Sequence, residues 1–506
     1  MLDKIINTTK EYIDLMPKET RKKYGQFFTS KETAIFMANL FDVNKKTDTI
    51  SILDPGAGSG ILSCALIDRL QYYSNLKTIE LTCYENDENI LELLYKNLDF
   101  IKENSKINVN ISVITENYIT SHDNEFNYKL GHNINSKKYD IVIGNPPYMK
   151  INKNAPEALS MSSICYGAPN LYFLFMAMSI FNLKQSGELV YIIPRSWTSG
   201  AYFIKFREYL LENSILKHIH LFVSRDKVFS NEKVLQETII VKIKKETPNS
   251  NYDINITTSE SAHDFDNITK IKVDSNTIIG KKEKYIYLVT NKKEIEVLNT
   301  INQYSNTLLS IGLKMKTGLT VDFRNKEFLR NENIPNSVPL FYATNIKSNG
   351  KISFPENIDN QYILTTKNSL LQKNKNYLFV KRFTSKEEKR RLQCGIYLCD
   401  DYPNYIYIST HNKINFIDSS TIDLTKPIVY GLYVIFNSTI YDLYYRILNG
   451  STQVNSTEIN SMPIPSLDII EELGNKLIKS NDLSQEKCDE ILGGIYEQKR
   501  TSKKIS

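Results

Sequence analysis

The chain is poor in the residues that hold small scaffolds together by metal or by disulfide. Its 506 residues include six cysteines, six histidines and a single tryptophan, Trp197. The cysteines (Cys64, Cys83, Cys165, Cys394, Cys399, Cys488) form no CxxC pair, and no Cys/His group has ligand spacing. A structural zinc site and a disulfide framework are therefore not expected, and a metal-free protein of a reducing interior is. His218 and His220 alternate within Leu216–Val223, the pattern of one face of a strand rather than of a metal site. No apolar run reaches 18 residues and no signal peptide opens the chain, so a soluble, cytoplasmic protein with no membrane partner is expected. Excess charge is also scarce. Against 63 basic residues stand 57 acidic ones, a net +6, which by itself does not assign a nucleic-acid partner. No repeat of fixed period is visible. The length exceeds one ordinary domain, and two or three are expected.

What is present is an alternation of strand and helix patterns from about residue 20 to 245. Strands are predicted over Thr49–Leu53, Thr78–Tyr84, Ile107–Ile114, Tyr139–Ile143, Glu188–Pro194, Ile215–Phe222 and Glu237–Lys244. Helices are predicted over Gly60–Tyr73, Glu88–Glu103, Asn170–Leu183 and Ala201–Asn213. Such alternation predicts an α/β domain with a mostly parallel sheet covered on both faces. Residues 246–274 are polar, with Pro248, and read as a linker. Residues 275–506 read as a separate α+β domain. Its strand candidates are short and aromatic (Asn376–Arg382, Gly395–Leu398, Asn404–Ser409), and its longer helices are Ser438–Leu448 and Leu467–Lys499.

Three constellations carry chemistry. The first is Asp54-Pro55-Gly56-Ala57-Gly58-Ser59-Gly60, a strand entering a glycine turn and then a helix, where a ligand can approach the backbone at the carboxyl edge of an open sheet. Glycine turns also serve nicotinamide and flavin enzymes. Two acids favour S-adenosylmethionine: Asp54, placed to meet the ligand's amino group, and Glu85, ending the next strand, where a carboxylate accepts from both ribose hydroxyls. The second is Asn145-Pro146-Pro147-Tyr148 after the apolar run Tyr139–Gly144. Two prolines stiffen the loop, an amide stands on one side and a ring on the other. That arrangement suits methyl transfer to a planar amine, because an acceptor oxygen meets the amino group while the ring stacks. The third is the run from Lys381 and Arg382 to Arg391, six basic residues with Phe383, expected to contact phosphates and to give salt-dependent affinity. Lys314, Lys316 and Arg324 flank the nearby Thr317-Gly318 turn.

The order of Gly25-Gln26-Phe27-Phe28-Thr29, Asp54–Gly60, Glu85 and Asn145–Tyr148 resembles the gamma-class DNA adenine-N6 methyltransferases of type II restriction–modification systems, with a Taq-type catalytic domain. Asn170-Leu171-Tyr172, Pro194-Arg195-Ser196-Trp197 and Val228-Phe229 follow in the order of that family. Thr317–Arg324, Val380–Phe383 and Gln453–Ile459 are similar to segments of the Pst/Bsu-like subgroup. The resemblance implies a Rossmann-like methyltransferase domain, S-adenosylmethionine as cofactor, double-stranded DNA as partner and a flipped adenine as substrate. By it, Thr29 lies near the methionine carboxylate, Gly56, Ala57 and Gly58 line the methionine part, and Asn145 and the Pro146 carbonyl accept from the target amine beside the cofactor. Tyr148 stacks on the target base and Phe229 meets its other face. Where the family has an Asp-Phe pair for the cofactor adenine, this chain has Asn117-Tyr118 preceded by Glu116, a departure that leaves Glu116 and Asn117 as alternatives. Trp197 reads equally as core or as substrate contact. The resemblance also implies a monomer that protects DNA beside a cognate endonuclease without a stable complex. The same loop occurs in methyltransferases acting on guanine in ribosomal RNA and on glutamine in release factors, the latter shorter enzymes; guanine in ribosomal RNA or cytosine N4 in DNA is the alternative substrate. No nuclease signature is present, and a DNA-binding protein with an inactive transferase domain is the reading from another class.

Overall fold

The computed structural model describes residues 1–15, 17, 28–43, 47–128, 137–222, 238–248, 250–261, 264–356, 359–385, 388–449 and 452–505, without the side chains of residues 13 and 496–505. The chain forms two compact units, Met1–Ile286 and Tyr287–Ser506. Phe229, expected to meet the target base, lies outside the described residues, as do Gly25, Gln26, Phe27 and Lys386.

The first unit is built on nine strands: β1 (Thr49–Pro55), β2 (Thr78–Tyr84), β3 (Asn108–Ile114), β4 (Tyr139–Gly144), β5 (Leu183–Pro194), β6 (Ile215–Phe222), β7 (Thr238–Lys244), β8 (Asp253–Ser259) and β9 (Thr269–Asp274). Their order is β3-β2-β1-β4-β5-β7-β6-β8-β9. β1 pairs in parallel with β2 and β4, β2 with β3, β4 with β5 and β6 with β8. β7 is antiparallel to both its neighbours, and β9 to β8. The order turns back at β1 and β4, so the crevice at their carboxyl ends is where an open α/β sheet takes its ligand. Parallel strands buried on both faces read as continuous apolar runs. Accordingly Ile52, Leu53, Ile79, Val142, Ile143 and Val190 are all buried, with Leu66, Ile67 and Leu94 of the helices Ile61–Leu70 and Glu88–Asn104 packed on the sheet. Each such side chain contributes roughly 1.5–3 kcal/mol of burial.

The stretch expected as a linker, 246–274, is not one. It holds β8 and β9, which extend the sheet beyond β6. Its polarity has two physical sources. β9 is an edge strand with most positions facing solvent. On β8, Thr257 and Ser259 partner the two histidines of β6: His218 Nε2 lies 2.7 Å and His220 Nδ1 2.8 Å from Thr257 Oγ1, and His220 Nε2 lies 3.1 Å from Ser259 Oγ. Burial pushes the His218 imidazole down to about 4 and that of His220 to about 3. His218 and His220 lie on one face of β6, as their alternation predicts. No helix among the described residues is long and apolar enough to cross a membrane.

The second unit is α+β. An antiparallel sheet orders Lys314–Thr317, Ile414–Asp418, Tyr377–Lys381 and Cys394–Tyr397. A second sheet of five short strands includes Val338–Phe341 and Tyr407–Thr410. The aromatic residues that mark this half in sequence fill its core, where Phe341, Tyr377, Phe379, Tyr397 and Phe416 pack together. Helices Lys426–Asn437, Thr439–Leu448, Leu467–Ser480 and Gln485–Ile505 complete the unit. The single helix expected over Leu467–Lys499 is divided at Asn481, which ends the first of the two in a left-handed conformation, φ 51°. Helices Lys426–Asn437 and Leu467–Ser480 cross at two glycines. A Cβ on Gly431 would meet the Ile470 carbonyl, and one on Gly474 the Pro427 carbonyl.

The three second-half segments singled out in sequence are knit together around the turn 410–414. Gly318 N donates to Ile414 O (2.8 Å), Thr320 N to Thr410 O (2.9 Å), Arg382 N to Lys413 O (2.9 Å) and Val454 N to Arg382 O (2.7 Å). The Arg382 guanidinium donates to Asn412 O at 3.0 Å and lies 5.5 Å from the Phe383 ring centre. Phe383 and Phe323 are both exposed, and Arg324 lies 5.3 Å from the Phe323 ring centre. The basic run, however, is not one cationic face. Arg391 is wholly buried, its Nε on Thr384 Oγ1 (3.2 Å) and its Nη2 on Asn449 Oδ1 (3.3 Å). Arg390 Nη2 reaches the carbonyls of Phe436 (3.2 Å) and Ser438 (3.4 Å), where a helix ends with unsatisfied acceptors.

Candidate active site at the carboxyl edge of the sheet

Four strands deliver one loop each to a single cavity of ≈ 420 Å³ in the first unit. After β1 come Gly56, Ala57, Gly58 and Ser59; after β2, Glu85, Asn86 and Asp87; after β3, Glu116, Asn117 and Tyr118; after β4, Asn145, Pro146 and Pro147. Phe28 and Thr29, before the helix Lys31–Asn39, close one side, and Met149, Glu157, Leu171 and Phe175 another. Residues up to 147 positions apart thus meet because strand ends meet.

The glycine turn bends around the ligand space. Gly56, Gly58 and Gly60 have φ of 76°, 55° and 81°, values that side chains disfavour. A Cβ on Gly58 would find no atom within 4 Å and would stand in the open cavity. The Ser59 hydroxyl, also on the cavity, is buried with no hydrogen-bond partner among the described residues. Glu85 is buried. Its Oε2 accepts from Gly58 N (2.8 Å) and its Oε1 from Asp87 N (3.0 Å). Burial raises its carboxyl, and those backbone N–H groups pull it back. The carboxylate has more lone pairs than these donors use, and so can accept from a ligand hydroxyl.

On the β4 side, Asn145 Nδ2 donates to Thr29 Oγ1 at 3.2 Å, and Asn145 Oδ1 accepts from the Tyr148 hydroxyl at 2.8 Å. The amide is held from both ends. Tyr148 O–H also lies 3.2 Å from Ile192 O. The ring of Tyr148 is buried, and burial lifts its phenol far above the usual range. It does not line the cavity, so the open stacking platform expected from sequence is instead an anchored side chain. The reason is physical: a desolvated phenol needs an acceptor, and Asn145 Oδ1 and Ile192 O are the ones in reach. The loop is tied to the next element by Leu171 N to Met149 O (2.9 Å) and Asn170 Nδ2 to Tyr148 O (3.3 Å). Tyr172 O–H and Ser196 Oγ are 2.8 Å apart, joining two further segments named in sequence. Trp197 is wholly buried, edge-on to Phe206, and belongs to the core.

Two other residues differ from expectation. Asp54 does not face the cavity. It is buried behind the glycine turn, accepts from Ser63 Oγ at 2.6 Å, and burial pushes its carboxyl up to about 7. Asn117 lines the cavity, but its Oδ1 accepts from Ile119 N (3.0 Å) and Thr120 N (3.1 Å). Its Nδ2 donates to Glu157 Oε1 at 2.8 Å. Tyr118 forms a buried wall, its hydroxyl 3.1 Å from Ser179 Oγ, which is 2.7 Å from the Tyr191 hydroxyl. Its ring stands edge-on to Tyr84. Glu157 escaped the sequence reading because it belongs to no motif.

The donors and acceptors around this space fit S-adenosylmethionine. An unpartnered Ser59 hydroxyl and a side-chain-free Gly58 stand at the turn, a fixed carboxylate at Glu85, and aromatic and aliphatic walls beyond it. Comparison with known proteins agrees. The family profile of the Eco57I restriction-modification methylases matches residues 63–229. The chain is 34% identical over 474 residues to the type II methyltransferase M.BsuBI of Bacillus subtilis, covering 91% of each. It is 32% identical over 502 residues to the type II methyltransferase M.PstI of Providencia stuartii, covering 97% of this chain and 96% of that one. The chain belongs to the type II DNA methyltransferases of restriction–modification systems, whose methyl donor is S-adenosylmethionine.

Proposed function

We propose that the chain methylates the N6 amine of an adenine flipped out of double-stranded DNA. The observation that carries this reading is the Asn145 amide. Its oxygen is oriented by Thr29 and Tyr148 on the wall of the cavity that holds Glu85 and the glycine turn. Bound S-adenosylmethionine supplies an electrophilic sulfonium methyl. Asn145 Oδ1 and the Pro146 carbonyl accept from the target amine, which drives its nitrogen toward tetrahedral geometry and localises its lone pair. No covalent enzyme intermediate and no metal is required. Preorganised acceptors and positioning carry the rate. Thr29 and residues 56–58 hold the methionine part, and Glu85 accepts from the ribose hydroxyls.

Stacking of the base is assigned to the Tyr148 ring, which must be uncovered as the base enters, and to Phe229. Such stacking is worth about 1–3 kcal/mol per base and offsets much of the cost of extrusion. The second unit reads the DNA. Support comes from the loops joined around 410–414, which bring Arg382, Lys381 and two exposed phenylalanines to one fold region. The protein acts as a monomer, protecting sites that a cognate endonuclease cuts without forming a stable complex with it.

Methylation-aware sequencing of DNA from cells expressing the chain tests this reading. N6-methyladenine at one short motif is expected. Modification of cytosine N4, or none, would overturn the adenine assignment.

A further inference from the structure

We propose that Glu157 supplies the hydrogen-bond acceptor for the 6-amino group of the cofactor's adenine, and so sets the purine specificity of the cofactor site. The inference rests on the reading of the cavity above. The strand order gives the cavity a direction. β4, β1, β2 and β3 lie side by side, each about 4.8 Å from the next. The loops that follow them therefore cross the cavity in sequence: Asn145 after β4, Gly56–Ser59 after β1, Glu85 after β2, and residues 116–118 after β3. A ligand whose reacting methyl lies at Asn145 and whose ribose lies at Glu85 must place its base at the β3 end.

An adenine edge there presents an exocyclic amine, which donates and needs an acceptor. Asn117 has none to offer. Both lone pairs of its Oδ1 are committed to the amides of Ile119 and Thr120. That double acceptance also fixes which end of the amide is oxygen. Its nitrogen is turned to Glu157 Oε1 at 2.8 Å. Glu157 stands on the short helix Pro156–Ser160 that follows the Asn145–Tyr148 loop, is half-buried, and lines the cavity. Its carboxylate only accepts, and Asn117 holds it in place, so its Oε2 is presented at little further entropic cost. Glu116 also lines the cavity but is exposed, and a free carboxylate in water gains little from one more donor.

The test is calorimetric titration of the full chain with S-adenosylhomocysteine and with S-inosylhomocysteine, in which a carbonyl oxygen replaces the amine. The wild type is expected to prefer the adenosyl compound by roughly 30-fold or more, since a site built to accept rejects an analogue that cannot donate. In Glu157→Gln, whose amide donates as well as accepts, adenosyl binding should weaken about tenfold, inosyl binding should tighten, and the preference should collapse. Glu116→Gln should keep the wild-type preference. Glu157→Ala, checked for folding by circular dichroism, should bind both compounds weakly and without preference. Retention of full preference in Glu157→Gln, or its loss in Glu116→Gln, would overturn the assignment alone. Wild type that bound neither compound would overturn the cofactor reading along with it.

Discussion

The carboxyl edge of β1–β4 and the segment Lys381–Arg391 behave in opposite ways. At the sheet edge, residues far apart in sequence converge: Thr29, Gly58, Glu85, Asn117 and Asn145 line one cavity. In Lys381–Arg391, neighbours in sequence diverge. Arg382 supports the turn at Asn412, Arg390 caps the end of a helix, and Arg391 is buried near the Tyr445 ring. The difference follows from backbone order. Parallel strands all present their carboxyl ends on one edge, so a residue just past a strand has its destination set by topology. A run of charges in a loop has no such constraint, and each side chain goes to whatever acceptor the packing leaves unsatisfied.

The largest break in this comparison comes from the edge itself. Asn145→Ala should lower methylation by roughly 10³-fold, the scale of removing one preorganised transition-state contact, while binding of S-adenosylhomocysteine stays within a few-fold of wild type. Retained methylation would mean that convergence at the edge is not catalysis.

Asp54 sharpens the rule by its exception, because it stands one residue before the end of β1 yet does not line the cavity. With its carboxyl raised to about 7, the folded state holds the proton more tightly than the unfolded chain. Stability from this group is therefore complete below about pH 4 and falls as pH rises toward 7, by roughly 4 kcal/mol at most. Denaturant titrations of Asp54→Asn between pH 4 and 8 should lose that slope and leave cofactor affinity little changed. An unchanged slope with lost affinity would return Asp54 to the ligand's amino group. In the second unit the matching case is Arg391→Ala. It should destabilise that unit by about 3 kcal/mol, because the buried Glu458 carboxylate loses its nearby cation, whereas Asp442 keeps Arg446. Chemical denaturation followed by aromatic fluorescence measures it.

The contrast also explains what the sequence disclosed. β2 and β6 have the bounds read from their apolar runs, because each run is set off by polar residues on both sides, Asn75 and Glu85 around β2 and Ser214 and Ser224 around β6. Glu85 and Asn145 were legible as the residues beyond such strands. The helix Lys426–Asn437 was not. Its run of Ile, Val, Tyr and Phe around Gly431 lacks helical alternation, being buried nearly all round, and periodicity leaves it unassigned. The Thr425 cap, the proline in the first turn and the close approach to Ile470 decide for helix. β8 and β9 were hidden because a polar edge strand and hydroxyls paired to histidines have the composition of a linker. Glu157 was invisible because its role depends on Asn117, 40 residues away, and no local spacing encodes that contact.

The smallest effects test the surface of the second unit. If Lys381–Arg391 were one phosphate-binding face, Lys381→Ala and Lys389→Ala would weaken DNA binding alike. The divergence of the segment predicts otherwise. Lys381 ends the strand Tyr377–Lys381, next to Arg382 in the joined loops, whereas Lys389 lies in solvent beyond the bend, beside two arginines drawn inward. Lys381→Ala should weaken binding severalfold at every sequence and reduce the salt slope by about 1, the loss of one phosphate contact. Lys389→Ala should change affinity by no more than about 0.5 kcal/mol, an ordinary solvated charge. Titrations of duplex DNA at several salt concentrations read both quantities together. Equal slopes lost in the two variants would restore the run as a single face, and would make sequence adjacency, not strand position, the guide to the DNA contacts of this unit.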